Sequence, residues 1–382
     1  MPTPIEVYLG QHNLDGFLFV GDSICDADMY YLSGFLAGDR FALLVQEKTT
    51  LLVSSMETGR AEKESKADRS LATSRYKMME KLKSGKDAEE AYLQVLVEFL
   101  RDHGIKRLGL PSRFPAGIYR HLAPDFDVKI LESPASRWRE VKRQEELDAI
   151  ASTQRACERA MHQAVQLIAS GKPRGEMLYR EGRPLTAEQV RSAIEASLLQ
   201  DGCEALDTIV AGGPAGADPH ARGTGPLPAH APIVIDIFPR SKSLRYFADM
   251  TRTVLKGEAA PELMEIYEAV RLAQDRGLQA IRAGVSGEEV HAQVCQVFLD
   301  LGYPEREGGR GFMHSTGHGV GLDVHEKPSL SETGSALQVN NVVTVEPGLY
   351  YPQVGGVRLE DLVVVKEKGC ENLTNFERQL LL

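Results

Sequence analysis

The sequence has little that suits a membrane, a nucleic acid or an oxidising compartment. No apolar run approaches the length of a membrane span, and residues 1–6 show no basic segment leading into an apolar one, as a signal peptide would. Acidic residues (54) outnumber lysine and arginine (44), and the net charge of -10 argues against a nucleic-acid partner. The five cysteines are scattered and odd in number, which argues against a metal-binding pair or a disulfide framework. We therefore expect a cytoplasmic protein with neither a membrane nor a nucleic-acid partner.

The chain is long enough for two domains. Its 382 residues, 42% hydrophobic and 26% charged, have the composition of a globular protein. In the first 130 residues, short apolar strands alternate with helical patterns, which predicts an α/β domain. Strands are predicted at 16–20, 41–45, 50–53, 107–110 and 126–130, and a helix at 88–103. A break near Ser133-Pro134-Ala135-Ser136 predicts domains at 1–132 and 136–382.

Apolar spacing predicts two long helices in the second part of the chain. The first runs from 141 to about 170, and the second starts near Pro261, a residue favoured in the first turn of a helix. They lead into similar segments, Ile168-Ala-Ser-Gly171 and Ile281-Arg-Ala-Gly284. This similarity indicates a faint internal duplication, with chance as a competing explanation. The segment Thr186-Ala-Glu-Gln189 predicts a capping box at the start of a further helix.

Two aspartates stand in or beside apolar strands. Asp236 interrupts the apolar run 233–237, and Asp249 follows thirteen positions later. A lone buried carboxylate is costly unless it is paired or bound to a metal. For Asp236 alone, a place at a strand end in solvent is an equally good explanation. With Asp249 across a hairpin, metal binding becomes the better one.

Two glutamates occupy strands of alternating character. In the segment 342–346, Thr344 and Glu346 share one face, and Arg358 and Glu360 share a face in the next such segment. Each pair places a polar neighbour beside a metal-ligand type of side chain. A strand with its polar face in water would explain either segment taken alone. The Pro-Gly pair after Glu346 ends its strand, so Glu346 is expected at an edge where a cleft can form.

Three histidines are concentrated within twelve positions. They are His314, His318 and His325, and glycines surround His318, so that the backbone can approach a ligand closely. A flexible glycine-rich loop with incidental histidines is the alternative. Taken together, the aspartates, the glutamates and a histidine are mostly oxygen donors with one imidazole, a combination that suits hard or borderline divalent metals. Carboxylates that bridge would hold two metals, the arrangement that activates water for hydrolysis.

The order and local setting of these residues resemble those of the pita-bread metallopeptidases, which include methionine aminopeptidase, aminopeptidase P, prolidase and the metal-free creatinase. The resemblance implies an α/β N-terminal domain followed by an α+β pita-bread catalytic domain, and the segment 29–35 is similar to the N-terminal domain of all but the first. It implies two divalent metal ions per chain, with Mn favoured and Co or Zn as alternatives, and a homodimer. The implied metal ligands are Asp236, Asp249, His318, Glu346 and Glu360.

The resemblance also implies roles in catalysis. Glu346 would exchange protons with the attacking water, and His220 and His325 would steady the substrate carbonyl. His314 and Arg358 are further expected substrate-binding residues. One departure is that the two aspartates are usually two positions closer together. An even insertion at a hairpin tip leaves the facing of both strands unchanged, so both carboxylates can still point inward.

The implied substrates are peptides with an Xaa-Pro bond. Aminopeptidase P accepts longer peptides, whereas prolidase accepts dipeptides and must hold their free carboxylate, commonly with an arginine after the His-Glu segment. Here Lys327 follows that segment and no arginine does. The main expectation is therefore an Xaa-Pro aminopeptidase, and the alternative is an Xaa-Pro dipeptidase with Lys327 or Arg358 as the clamp. A creatinase-like hydrolase and a non-catalytic peptide-binding module are weaker alternatives.

Overall fold

The structure is a computed structural model that describes residues 3–303 and 310–382. The chain divides into two compact units, an N-terminal unit, Met1–Arg139, and a C-terminal unit, Glu140–Leu382. The short helix Pro134–Trp138 belongs to the N-terminal unit, whereas the sequence predicts a boundary at 133–135, across the start of this helix. An ion pair explains this position, because Arg139 binds Asp28 of the same unit at 2.7 Å and both side chains are largely buried.

A mixed β-sheet forms the centre of the N-terminal unit. Its middle strands are antiparallel, and its outer strands at both edges pair in parallel. In spatial order the strands are Arg69–Ala72, Thr49–Val53, Phe41–Val45, Gly16–Gly21, Arg107–Pro111 and Asp127–Leu131. The predicted strands of this unit are confirmed, with ends that differ by one residue at most.

Helices pack on both faces of this sheet, and each face forms a hydrophobic core with the helices that cover it. Leu18 and Val20 belong to one core and Phe17 and Phe19 to the other, as the two-residue period of a strand requires. Both faces of the sheet are therefore covered, which explains why its strands are continuously apolar. The helices are Pro4–His12, Ala27–Ser33, Thr58–Glu64, Met78–Lys83, Ala88–Asp102, Ala116–Leu122 and Pro134–Trp138, with a 3-10 turn at Thr73–Tyr76.

The C-terminal unit repeats one order of elements. A long helix, Gln144–Ala169, precedes a shorter one, Ala187–Gln200, and the same order returns as Pro261–Ala280 and Gly287–Asp300. The members of each pair contact each other. Both shorter helices start with a capping box, and the one at Thr186 confirms the prediction. None of the helices in the described residues combines the length and apolar character that crossing a bilayer needs.

Antiparallel strands follow each helix pair. One sheet contains Ile209–Gly212, Ile233–Ile237 and Met250–Val254. A second sheet contains, in spatial order, Glu326–Leu330, Gly317–Gly319, Val342–Val345, Asp361–Lys366 and Gly369–Asn372. Smaller ladders are Gly348–Tyr351 with Gly355–Arg358, Cys203–Glu204 with Arg240–Ser241, and Lys172–Arg174, Met177–Arg180 and Arg183–Pro184. Asp236 and His318 lie within these strands, and Asp249, Glu346 and Glu360 lie directly beside strand ends.

Candidate active site

Strand register brings the two aspartates to one face. Asp236 lies opposite Thr251 in the antiparallel pair formed by Ile233–Ile237 and Met250–Val254. Asp249 precedes Thr251 by two residues and so shares its face. Both aspartates are buried. The longer connection between them therefore leaves their facing as the sequence predicts.

His318 and Glu346 meet across neighbouring strands. The His318 backbone N–H donates to Thr344 Oγ1 at 3.1 Å, and the Glu346 backbone N–H donates to the Thr316 carbonyl at 2.8 Å. A Cβ at Gly317 would clash with the Thr344 carbonyl, so glycine permits this close approach. As a result, His318 Nε2 lies 3.3 Å from Glu346 Oε1 and 3.6 Å from Asp249 Oδ2.

Glu360 is fixed between the strands Gly355–Arg358 and Asp361–Lys366. Thr251 Oγ1 donates to Glu360 Oε2 at 2.7 Å, and Arg252 Nη1 donates to the Glu360 carbonyl at 2.6 Å. Thr251 is the residue opposite Asp236, so one hydroxyl ties Glu360 to the sheet that carries Asp236.

Two carboxylate oxygens of the site are buried without a hydrogen-bond partner among the described residues. They are Asp236 Oδ1 and Glu360 Oε1. Atoms of Asp249, His318 and Glu360 that can serve as metal ligands lie within 4.8 Å of one another. Unsatisfied buried oxygens are costly, and coordination of divalent cations is one way in which such oxygens are satisfied. The residues present therefore fit a metal ion with a preference for oxygen ligands.

The raised pKa values of the buried carboxyl groups also favour a bound metal ion. Burial, followed by the neighbouring Glu360, raises the pKa of Asp249 and of Glu346 well above the usual range. Burial and the nearby Asp236 raise the pKa of Glu360 to about 8. Carboxyl groups crowded in this way cannot all ionise by themselves, and a bound cation would allow them to.

His318 has the protonation state of a metal ligand. Burial lowers its pKa to about 3, so the ring is neutral near pH 7. Its Nδ1 lies 3.2 Å from the Gly319 carbonyl, which can only accept, so Nδ1 carries the proton. The lone pair is therefore on Nε2, the atom that faces Glu346 and Asp249.

A hydrogen-bonded chain leads from His314 to Asp236. His314 Nδ1 donates to the Ser315 carbonyl, so its Nε2 accepts from the Tyr350 hydroxyl at 2.8 Å. Arg358 Nη1 donates to the same hydroxyl at 2.8 Å, and its Nη2 donates to Asp236 Oδ2 at 2.6 Å. Sequence reasoning missed Tyr350. Its position two residues after Glu346-Pro347-Gly348 was a weak indication of a role in the site. Its contact with His314, which lies 36 positions earlier, forms only in the folded chain.

Burial sets the protonation of this chain. It lowers the pKa of His314 to about 3, so the ring stays neutral. It also raises the pKa of Tyr350 to about 12, so the hydroxyl stays protonated and can donate. Arg358 is buried and keeps its charge, and each of its three side-chain nitrogens donates to a protein acceptor. The chain is therefore a fixed support for Asp236.

The two histidines expected to hold the substrate are more exposed. The ring centroids of His325 and His318 are 4.2 Å apart, and the rings meet edge to face. Burial of part of the ring lowers the pKa of His325. The His220 backbone N–H donates to Asp218 Oδ1 at 3.0 Å, which shapes the turn. Both histidines therefore border open space beside the predicted metal ligands.

All nine predicted site residues line one cavity of about 660 Å³. They are His220, Asp236, Asp249, His314, His318, His325, Glu346, Arg358 and Glu360. Apolar and polar residues complete the wall: Asp207, Ile209, Pro219, Arg222, Phe238, Met313, Ser315 and Val324. A cavity of this size with a few convergent polar groups suits a small-molecule or short-peptide ligand.

A buried ion pair supports the segment that carries His325. Lys142 Nζ lies 2.6 Å from Glu326 Oε1, and the two side chains are 1% and 9% exposed. Sequence reasoning placed Lys142 in the first turn of a helix, whereas the helix begins at Gln144. No local pattern could find this pair, because its members lie far apart in the sequence.

Replacing Lys142 with methionine is expected to lower the free energy of unfolding by about 3 kcal/mol, because the buried Glu326 loses its lysine partner. Urea unfolding would measure the change. The double variant K142M/E326Q should recover part of it, since removing both charges removes the mismatch. The exposed pair Lys366–Glu371 provides the control: Lys366→Met should change stability by less than about 1 kcal/mol. An equal effect of both lysine variants would contradict this account.

An oxygen-rich set of side chains with one imidazole, beside a substrate-sized cavity, suits a metal-dependent hydrolase. Residues 148–367 match the model of metallopeptidase family M24, and residues 5–150 match the creatinase/prolidase N-terminal domain. The first match covers more than half of the chain. The chain therefore belongs to metallopeptidase family M24, and it is an enzyme that uses divalent metal.

Relatives and solved structures match this chain over both units. The chain is 30% identical to an Xaa-Pro dipeptidase of Pyrococcus furiosus, over 93% of this chain and 92% of that protein. The prolidase structure from Pyrococcus horikoshii matches with a TM-score of 0.81 and 27% identity, over 99% and 98% of the two chains. The X-Pro aminopeptidase structure from Thermotoga maritima matches with a TM-score of 0.80 and 29% identity, over 97% and 98%. These matches confirm the predicted fold, an α/β domain followed by a pita-bread catalytic domain.

Proposed function

We propose that this metallopeptidase hydrolyses the Xaa-Pro bond of dipeptides, as a prolidase does. The observation that carries the proposal is the cavity of about 660 Å³ in which the predicted metal ligands, histidines and apolar side chains meet. Relatives that match almost the whole chain are named Xaa-Pro dipeptidase, and this supports the dipeptidase over the aminopeptidase that the sequence favoured. The aminopeptidase stays the second candidate, because no arginine follows His325-Glu326 up to Leu330.

The proposal includes two divalent ions, with Mn favoured and Co or Zn as alternatives. The residues that would hold them are Asp236, Asp249, His318, Glu346 and Glu360. Bound divalent metal lowers the pKa of water and polarises a carbonyl group. The preference for Mn follows from the excess of oxygen over nitrogen donors.

In this mechanism the side chains move protons and hold the peptide. Glu346 accepts a proton from the attacking water and returns it to the leaving nitrogen of proline. His220 and His325, at the open side of the cavity, donate to the carbonyl oxygen as negative charge develops there. His314, Tyr350 and Arg358 fix Asp236 through their hydrogen bonds. We therefore assign His314 and Arg358 to positioning, and we do not retain Arg358 as a carboxylate clamp.

Three further parts of the proposal concern the whole molecule. A creatinase/prolidase-type domain precedes a catalytic domain, in keeping with the two compact units. The cysteines, Cys25, Cys157, Cys203, Cys295 and Cys370, are free thiols, which suits the reducing cytoplasm. A homodimer is proposed from the family resemblance, and the elution volume on a calibrated sizing column would test it.

The kcat/KM values for Xaa-Pro, Xaa-Pro-Yaa and Xaa-Ala on one preparation test the substrate class. We expect the Xaa-Pro dipeptide to be cleaved fastest. The tripeptide should be at least about tenfold slower, because its carboxylate lies beyond the cation that would bind it. Xaa-Ala should also be slower, because the apolar wall loses contact with the proline ring.

The other outcomes of this panel are informative. Cleavage of the tripeptide at least as fast as the dipeptide would move the assignment to the Xaa-Pro aminopeptidase. Equal rates for Xaa-Pro and Xaa-Ala would reject the substrate class and leave the metallopeptidase standing. Metal-loaded enzyme should be used throughout, so that weak activity reflects the substrate.

A further inference from the structure

A dipeptide substrate carries a free carboxylate, and a cation in the cavity is needed to bind it. Among the described residues that line the cavity, the lysine and arginine side chains are those of Arg222 and Arg358. Arg358 is buried, and its nitrogens donate to Asp236, Tyr350 and Thr251. Lys327, the sequence-based candidate, does not line the cavity. Arg222 is therefore the cation in the cavity wall that is placed to meet a ligand.

The backbone at Arg222 is held in place while its side chain remains accessible. Its carbonyl accepts from the Val210 backbone N–H at 3.0 Å and from Arg191 Nη1 at 2.6 Å. Gly223 has a φ of +71°, and a Cβ there would clash with the Val210 carbonyl. The Arg222 side chain is 55% exposed and lies 3.4 Å from Asp207, which is 71% exposed. An ion pair this exposed is weak, so a substrate carboxylate can compete for the guanidinium.

Backbone hydrogen bonds give the approximate distance between the Arg222 backbone and the strand that carries Asp236. Ile209 is opposite Asp236 in the antiparallel pair, and Arg222 binds the neighbouring Val210 on the other edge of that strand. Two spacings of neighbouring chains separate the Arg222 backbone from the strand of Asp236, or about 10 Å. One extended residue spans about 3.5 Å, so a proline residue and the long arginine side chain together bridge this distance.

We infer that the Arg222 guanidinium binds the C-terminal carboxylate of the Xaa-Pro substrate and so determines the preference for dipeptides. This inference rests on the proposed function. The planar guanidinium can bind both oxygens of a carboxylate, which orients the proline residue as well as attracting its charge. Ile209, Pro219 and Phe238 line the same cavity and suit the proline ring. Because the Arg222 side chain is exposed at the rim of the cavity, we expect a partial preference for dipeptides over longer peptides.

The test compares Xaa-Pro with its C-terminal amide, which has the same shape without the negative charge. In Arg222→Gln, kcat/KM for the acid should fall about tenfold, mainly through KM, and kcat/KM for the amide should stay unchanged. Arg222→Lys should keep part of the preference for the acid over the amide, because lysine keeps the positive charge but cannot bind both carboxylate oxygens as the planar guanidinium does. Asp207→Asn should lower KM for the acid, because a competing carboxylate is removed.

Arg180→Gln is the matched control. Arg180 is another exposed arginine, 48% accessible and 3.1 Å from Glu181, and it does not line the cavity. This variant should leave both substrates unaffected. Activity on the amide also shows whether Arg222→Gln is folded.

Two results would overturn the assignment of Arg222. They are an unchanged acid-to-amide ratio in Arg222→Gln, and an equal loss on both substrates, which would indicate a structural role. Failure of the unmodified, metal-loaded enzyme to cleave either form would instead overturn the proposed function, and the clamp with it. A wild-type preference for the acid that disappears in Arg222→Gln supports both.

Discussion

Glu346→Gln is expected to lower kcat on the order of 10³-fold in a protein that still folds. Glutamine keeps the shape of glutamate but cannot accept a proton from water or return it to the leaving nitrogen. The side chain lies 3.3 Å from His318 Nε2 and 3.4 Å from Thr344 Oγ1, contacts that the amide can largely preserve. The loss should therefore appear in turnover and metal affinity and leave the fold intact.

The measurement is kcat on an Xaa-Pro dipeptide at saturating metal, with metal content and melting temperature recorded for each protein. Glu371→Gln is the control, because Glu371 is exposed and its ion pair with Lys366 lies outside the cavity. It should match the wild type. More than about a tenth of wild-type kcat in metal-loaded Glu346→Gln would show that another group carries the proton.

Much of the fold was predictable because local patterns determine it. The strand Gly16–Gly21 is apolar on both faces, since helices cover both sides of its sheet. A continuous apolar run of this length predicts a buried strand from the sequence alone. The long helix was placed correctly but begins at Gln144, three residues later than predicted. There Arg143 is the N-cap, its backbone N–H donates to Glu146 Oε2, and the preceding Lys142 lies outside the helix and binds Glu326.

The site was predictable in its residue types and less so in its connections. Asp236 and Glu346 were recognisable because a carboxylate in an apolar strand is costly unless it is paired or bound to a metal. Tyr350 could not be found in the same way, because its contacts with His314 and Arg358 come from the packing of separate strands and loops. The role proposed for Arg222 likewise depends on which residues meet at the cavity. The contacts of Arg358 are a further example: it precedes Glu360 by two residues, and only the folded structure shows that its guanidinium donates to Asp236.

Removing the metal is expected to abolish activity, and added Mn²⁺ should restore it, because the crowded carboxylates need a cation to ionise together. The proposed ligands lie in or directly beside strands of packed sheets, so the apo protein should stay folded with a lower melting temperature. The control is addition of Ca²⁺ or Na⁺ at the same ionic strength, which should not restore turnover. Activity that persists after confirmed loss of metal would contradict the two-metal mechanism and favour a creatinase-like one.

The apo protein should also lose stability as pH rises. The folded pKa of Glu360 is about 8 against an ordinary value of 4.5, so between these values the folded state keeps a proton that the unfolded state releases. Stability from this group is therefore present below pH 4.5 and lost as pH rises towards 8. The raised pKa values of Asp249 and Glu346 act in the same direction.

Bound metal should reverse this trend, because it stabilises the ionised carboxylates and competes with protons for them. The increase in melting temperature on adding Mn²⁺ should then grow from pH 5 to pH 8, and binding near pH 7 should release protons into a weakly buffered solution. Thermal unfolding at several pH values, with and without metal, measures the first effect, and calorimetry in buffers of different ionisation enthalpy measures the second. A metal-induced increase that is the same at every pH, with no proton release, would mean that the carboxylates are already ionised in the apo protein.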